Sequence, residues 1–226
     1  MREKTWLACK DPEPMIAFLG ARVSDRKLRL FALACVRRAW HFVTDKRIPK
    51  LVALLEDVAD GRVKSRQREG ARNRSYAVAS SNLDDMQQCI GYDLWTAFEK
   101  DQGRENNDLG ECVAAAFGYF AQGKNGPTRK FNAGKKAERQ QQPALLREVV
   151  GDPYRPVTFD PKWRTDTARA LARQMYDSQE FGAAPILADA LQDAGCECEP
   201  LLNHLRDATA AHVRGCWAVD LVLGLS

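Results

Sequence analysis

A chain of 226 residues with 45% apolar and 28% charged side chains has the balance of a folded protein long enough to bury a sizeable core, which excludes the disordered and fibrous classes. Its net charge of +4 is small but unevenly spread: from Met175 to Ser226 two Arg stand against eight Asp and Glu, a distribution that bears on partners and not on fold. The opening MREKTWLACKDPEP has charges and prolines where a secretory signal needs an apolar stretch, and the most apolar run, Cys216 to Leu225, contains Asp220 and is about half a bilayer span, so neither export nor membrane insertion is expected and the cytoplasm is the expected location.

In chain order, Asp11 and Pro12 supply a cap and a first-turn proline for a short helix through Met15, Ile16, Phe18 and Leu19, which Gly20 stops. Ser24 caps a long helix whose apolar positions run from Leu28 through Phe31, Cys35 and Val36 to Trp40 and Val43. Pro49 opens a third helix through Leu51, Leu54, Leu55 and Val58 that ends at Gly61. The following SRQREGARNRSYAVASS is crowded with arginine and has clear apolar content only from Tyr76 to Ala79, so its first half reads as loop. Asp84 to Lys100 and Asp108 to Ala121 each place apolar side chains at helical spacing.

From Gln122 to Gln142 the composition turns basic, with turn residues and almost no apolar content, and reads as a linker or mobile loop. A short helix from Pro143 to Val150 precedes GDPYRPVTFDP, where three prolines forbid a regular helix. Helices then follow over Asp166 to Ser178, Pro185 to Ala194, the neighbourhood of Leu201 and Leu202, and His212 to Leu223. No run alternates with period two for long and no repeat of twenty to fifty residues aligns. The expected fold is all-α, a multi-helix globular bundle with an irregular Pro-rich connection at 151–161. Its expected organisation is an N-terminal helical region at 1–121, the basic linker at 122–142 and an acidic C-terminal helical region at 143–226.

Four groups of residues look familiar as a set. They are Trp6-Leu7-Ala8-Cys9 with Asp11-Pro12; Ser24-Asp25-Arg26-Lys27-Leu28-Arg29-Leu30-Phe31 running to Arg37-Arg38-Ala39-Trp40; Leu145-Leu146-Arg147-Glu148 with Asp152-Pro153-Tyr154-Arg155-Pro156; and Met175-Tyr176-Asp177 through Leu187-Ala188-Asp189-Ala190-Leu191 and Gly195-Cys196 to His212-Val213-Arg214-Gly215-Cys216-Trp217. Together they resemble a lineage-expanded family of planctomycete proteins. The family pattern lacks a cysteine at the position of Cys198, and the resemblance implies no activity, cofactor or site residue.

Seven cysteines are an odd number, most of them in apolar helical contexts, which argues for free thiols packed as small hydrophobes in place of a disulfide framework. The densest set of possible ligands is C-terminal: Cys196, Cys198, His204, His212 and Cys216. On a helix His212 and Cys216 would lie one turn apart and present an imidazole and a thiolate to one metal, with Cys196 and His204 completing a tetrahedron for zinc. The spacing matches no standard zinc module, and core packing with helix-end hydrogen bonds is the competing account of the same residues. Asp220 extends the stripe towards a Cys-His-Asp arrangement, but on one straight helix the thiol would separate base from orienter, so no catalytic residue is expected.

The second candidate is basic. Arg66, Arg68, Arg72 and Arg74, with Lys130, Lys135 and Lys136, can neutralise phosphates, and Tyr76 or Phe131 can stack on bases. Against this, charge runs are usually solvated faces, and no established nucleic-acid-binding motif is present. Phosphate-loop, dinucleotide, zinc-protease and serine-hydrolase motifs are absent as well. The expectation is a non-enzymatic helical module that binds or scaffolds another macromolecule, protein or nucleic acid, and engages no membrane. Sequence-tolerant nucleic-acid binding and a metal-binding C-terminal module stand as the alternatives.

Overall fold

The computed structural model describes residues 1–81, 83–98, 109–123 and 126–225, and among them there are α-helices and short 3-10 turns and no strand. The protein is all-α. It divides into two compact units, Met1–Pro143 and Ala144–Ser226.

The first unit begins with α1 (Glu3–Ala8), absent from the sequence expectation, which buries Trp6 completely. Next comes α2 (Pro12–Leu19), whose Asp11 side chain accepts the Glu13 N–H. Ser24 caps α3 (Asp25–Arg38), where every residue from Leu28 to Val36 is buried, Arg29 included. A helix buried on all sides is the centre of its bundle, and α4 (Arg47–Ala59) and α6 (Asp85–Ala97) pack on it. The expected extension of α3 to Val43 is instead a separate 3-10 turn, Trp40–Phe42.

Two helices stand where loops were expected. The arginine-rich segment is one continuous helix, α5 (Ser65–Ala79), packed on α4 and α6. Its buried stripe is only Ala71, Ser75 and Val78, too thin to register as periodicity, while arginine itself is a good helix former. The expected linker contains α8 (Thr128–Arg139), which packs on α7 (Glu111–Gln122). Glycine permits this contact: a Cβ on Gly134 would lie 2.7 Å from the Phe117 carbonyl oxygen, and one on Gly118 2.9 Å from that of Phe131. The charges of α8 are tied down as well. Arg38 makes a bidentate pair with Glu138, Nε to Oε1 at 2.6 Å and Nη2 to Oε2 at 2.9 Å; Arg139 pairs with Asp11, Glu13 and Glu111, and Lys135 with Glu111. The expected helix ends at Lys100 and Asp108, together with Lys124 of the basic stretch and the terminal Ser226, fall outside the described residues.

Inside the first unit, Asp93 on α6 is buried, and its Oδ2 accepts the Val113 N–H at the start of α7. Burial pushes this carboxyl up to about 7, against the pull of the Val113, Gly110 and Cys112 N–H groups.

The second unit opens within α9 (Gln142–Val150). An irregular segment from Gly151 leads to a 3-10 turn, Pro161–Trp163, and then to α10 (Asp166–Ser178), α11 (Ala184–Asp193), α12 (Glu199–Arg206) and α13 (Trp217–Leu223). Its core draws Ala172 and Met175 from α10, Leu187 and Leu191 from α11, Leu201 and Leu205 from α12, and Val219 and Val222 from α13. Arg164 closes α13 by donating to the carbonyls of Val222 at 2.7 Å and Leu221 at 2.9 Å, satisfying acceptors that a helix end leaves open. No helix among the described residues is long and apolar enough to cross a membrane.

Candidate metal centre

The expected C-terminal helix does not begin at His212. The stretch from His212 to Cys216 is a turn, with Gly215 at φ +93° and the Cys216 N–H donating to the Val213 carbonyl, so that α13 starts only at Trp217. A left-handed residue interrupts helix propagation. His212 and Cys216 nevertheless meet, Nδ1 to Sγ at 3.9 Å, because the turn folds one back on the other.

Cys196 takes no part. It follows Gly195 at the end of α11, donates its N–H to the Leu191 carbonyl, and is buried in the apolar core. Its place is taken by Glu148 of α9. The donor atoms of Glu148, His204, His212 and Cys216 all lie within 4.8 Å of one another. His212 Nδ1 is 2.9 Å from Glu148 Oε1, His204 Nε2 is 3.4 Å from Glu148 Oε2 and 3.4 Å from Cys216 Sγ.

Each donor is placed by its element. Glu148 stands one turn after Leu145 and beside Val149, on the buried side of α9; His204 is in the last turn of α12, and Cys216 is the residue from which α13 starts. Trp217 packs its ring 4.8 Å from that of His204, and Phe181 lies 5.9 Å from His212. Glu148 and Cys216 are buried, and the two imidazoles are half-buried.

The electrostatics follow from this burial. Desolvation pushes Glu148 up, yet the contacts with His204, His212 and Cys216 outweigh it and hold the carboxyl at about 2. Burial, reinforced by the Glu148 carboxylate, holds the Cys216 thiol well above its ordinary range. The cluster therefore joins a carboxylate to a protonated thiol, and a cation held there would have to displace the thiol proton. His212 Nε2 is buried without a hydrogen-bond partner among the described residues, and the ring is held by packing and by its contacts with Glu148 and Cys216.

Sequence reasoning found three of these four residues and missed Glu148. The available signal was an acid at a core-facing position of a short apolar helix, where a charge is retained only if something pairs with it.

The basic candidates divide. A helix turns about 100° per residue, which sets Arg66 and Arg74 on one side of α5 and Arg68 and Arg72 on another. Arg72 lies 5.1 Å from the Trp95 ring, while Arg74 faces a groove lined by Lys50, Leu51 and Leu54 of α4. On α8, Lys135 is paired with Glu111, and Lys130 and Lys136 are exposed. Comparison of the chain with protein-family models, with curated proteins and with solved structures finds no match.

Proposed function

We propose that the C-terminal unit is a metal-binding module that takes zinc between Glu148, His204, His212 and Cys216. The observation that carries this reading is the convergence of four donor side chains of the right chemistry, from α9, α12 and the turn before α13, within 4.8 Å. Zinc–ligand bonds of about 2.0–2.3 Å in a tetrahedron separate neighbouring donors by about 3.3–3.7 Å. Four of the six donor pairs stand at 2.9, 3.4, 3.4 and 3.9 Å, near that range, and no pair exceeds 4.8 Å. A mixed set of imidazole, thiolate and carboxylate suits zinc, whereas an all-oxygen cage would suit calcium or magnesium.

Four protein ligands leave no open position for a substrate or an activated water, the arrangement of a structural site. The metal then acts as a tie between segments far apart in the chain, and the unit works as a non-enzymatic module whose shape is presented to a partner. The His212-Val213-Arg214-Gly215-Cys216-Trp217 motif that carries much of the family resemblance supplies two of the four ligands.

The test is elemental analysis of protein purified without chelator, with Glu148→Gln beside it. The expected result is about one equivalent of zinc in the parent and a sharp loss in the variant; protein that neither contains nor takes up a transition metal overturns the proposal.

A further inference from the structure

On α5, Arg68, Arg72 and Tyr76 follow one another at four-residue steps, the spacing that lines side chains along one side of a helix. The neighbouring α6 brings Tyr92 and Trp95 to the same place. The Trp95 ring lies 5.6 Å from that of Tyr76 and 5.1 Å from that of Tyr92, each pair inclined by 54°. The Arg72 guanidinium sits 5.1 Å from the Trp95 ring. Core formation does not account for the two tyrosines: α5 is held by Ala71, Ser75 and Val78, whereas Tyr76 is 53% and Tyr92 40% exposed, with the half-buried Trp95 between them. The α5 sequence carries four arginines, Arg66, Arg68, Arg72 and Arg74, against one acid, Glu69, which shares the Arg72 side of the helix.

We propose that the Tyr76–Trp95–Tyr92 platform, with Arg68 and Arg72, binds single-stranded nucleic acid. Unpaired bases supply flat faces for the three rings, and the two arginines, one helical turn apart, meet the phosphates of the same strand; stacking of this kind tolerates any base. A duplex keeps its bases inside and offers this surface only phosphates. An acidic peptide satisfies the arginines and leaves the rings without a role. The site lies wholly within the first unit and is independent of the metal centre.

The experiment is fluorescence anisotropy of the full chain with a labelled oligothymidylate of about twelve nucleotides, at several salt concentrations. A duplex of the same length and polyglutamate serve as competitors. The expected results are preferential binding of the single strand, a loss of about tenfold or more on Tyr76→Ala, and a salt slope lowered by about 1–2 on replacing Arg68 and Arg72 together by Ala. Tyr92→Ala is a second ring variant, and thermal melts confirm that each variant folds. Absence of binding at about 50 mM salt overturns the proposal. So does a single strand that binds no better than the duplex and is indifferent to both ring variants, which is bare phosphate attraction, or polyglutamate that competes as well as oligothymidylate, which marks an acidic protein partner.

Discussion

His212 and Glu148 are sixty-four residues apart in the chain, yet His212 Nδ1 stands 2.9 Å from Glu148 Oε1. That contact joins the turn before α13 to the buried side of α9, and the His204 and Cys216 donors lie beside it. A cation bound there ties the same segments more strongly than the side chains do alone, because an unfolded chain offers no preformed site.

Metal removal is therefore expected to lower the melting temperature. At a free zinc concentration a thousandfold above Kd, the bound ion contributes about 4 kcal/mol. Calorimetry with and without a chelator checks this, and an unchanged transition in protein shown to have lost its metal contradicts the role as a tie.

Cysteine substitutions separate the ligand from its core neighbour. Cys216→Ser is expected to abolish stoichiometric zinc. Cys196→Ser is expected to leave zinc content unchanged and to lower stability by about 1–3 kcal/mol, the effect of a buried hydroxyl without a partner. Zinc content and denaturant unfolding on both variants give the answer.

Asp93 predicts an unusual pH dependence. Its folded-state value of about 7 lies above the ordinary 3.8, so the folded state retains a proton that the unfolded chain releases. Its stabilising contribution is fully present below pH 3.8, falls as pH rises through the window, and is lost above about 7. Asp93→Asn keeps an acceptor for the α7 N–H groups and removes the titration. Unfolding free energies at a series of pH values are expected to fall less steeply for the variant over that window, by on the order of a few kcal/mol in total.

The pair that anchors α8 is also testable. Arg38→Ala leaves the Glu138 carboxylate, 3% exposed, without its bidentate partner, an expected loss of about 3–5 kcal/mol. Trypsin is expected to cut between Lys130 and Lys136 early in this variant and late in the parent. Early cleavage in the parent would restore the linker reading of this segment.

Gly134→Ala gains about 1 kcal/mol of helix propensity but drives a methyl to 2.7 Å from the Phe117 carbonyl oxygen. Overpacking of a rigid backbone contact costs about 1–3 kcal/mol, so the expected net effect is destabilisation, measured as a lower denaturation midpoint.

The sequence by itself determined the all-α class and those helices whose caps or apolar stripes are strong: Asp11 before α2, Ser24 before α3 with its buried Leu28 to Val36, and the apolar positions of α6. These signals are local, since a capping hydrogen bond reaches two or three residues and an apolar stripe repeats every turn. Tertiary structure decided the rest. α5 buries only Ala71, Ser75 and Val78 and α8 only Glu138, and the charges of α8 find their partners, Glu111 for Lys135 and Arg38 for Glu138, only once distant segments pack. The centre follows the same rule. His204, His212 and Cys216 stand out by residue type, but a glycine turn and not a helix face brings His212 to Cys216, His204 comes from α12, and the fourth donor comes from α9. Periodicity carries information over a few residues; which donor meets which across sixty-four is settled by how the apolar faces of α9, α12 and α13 are buried.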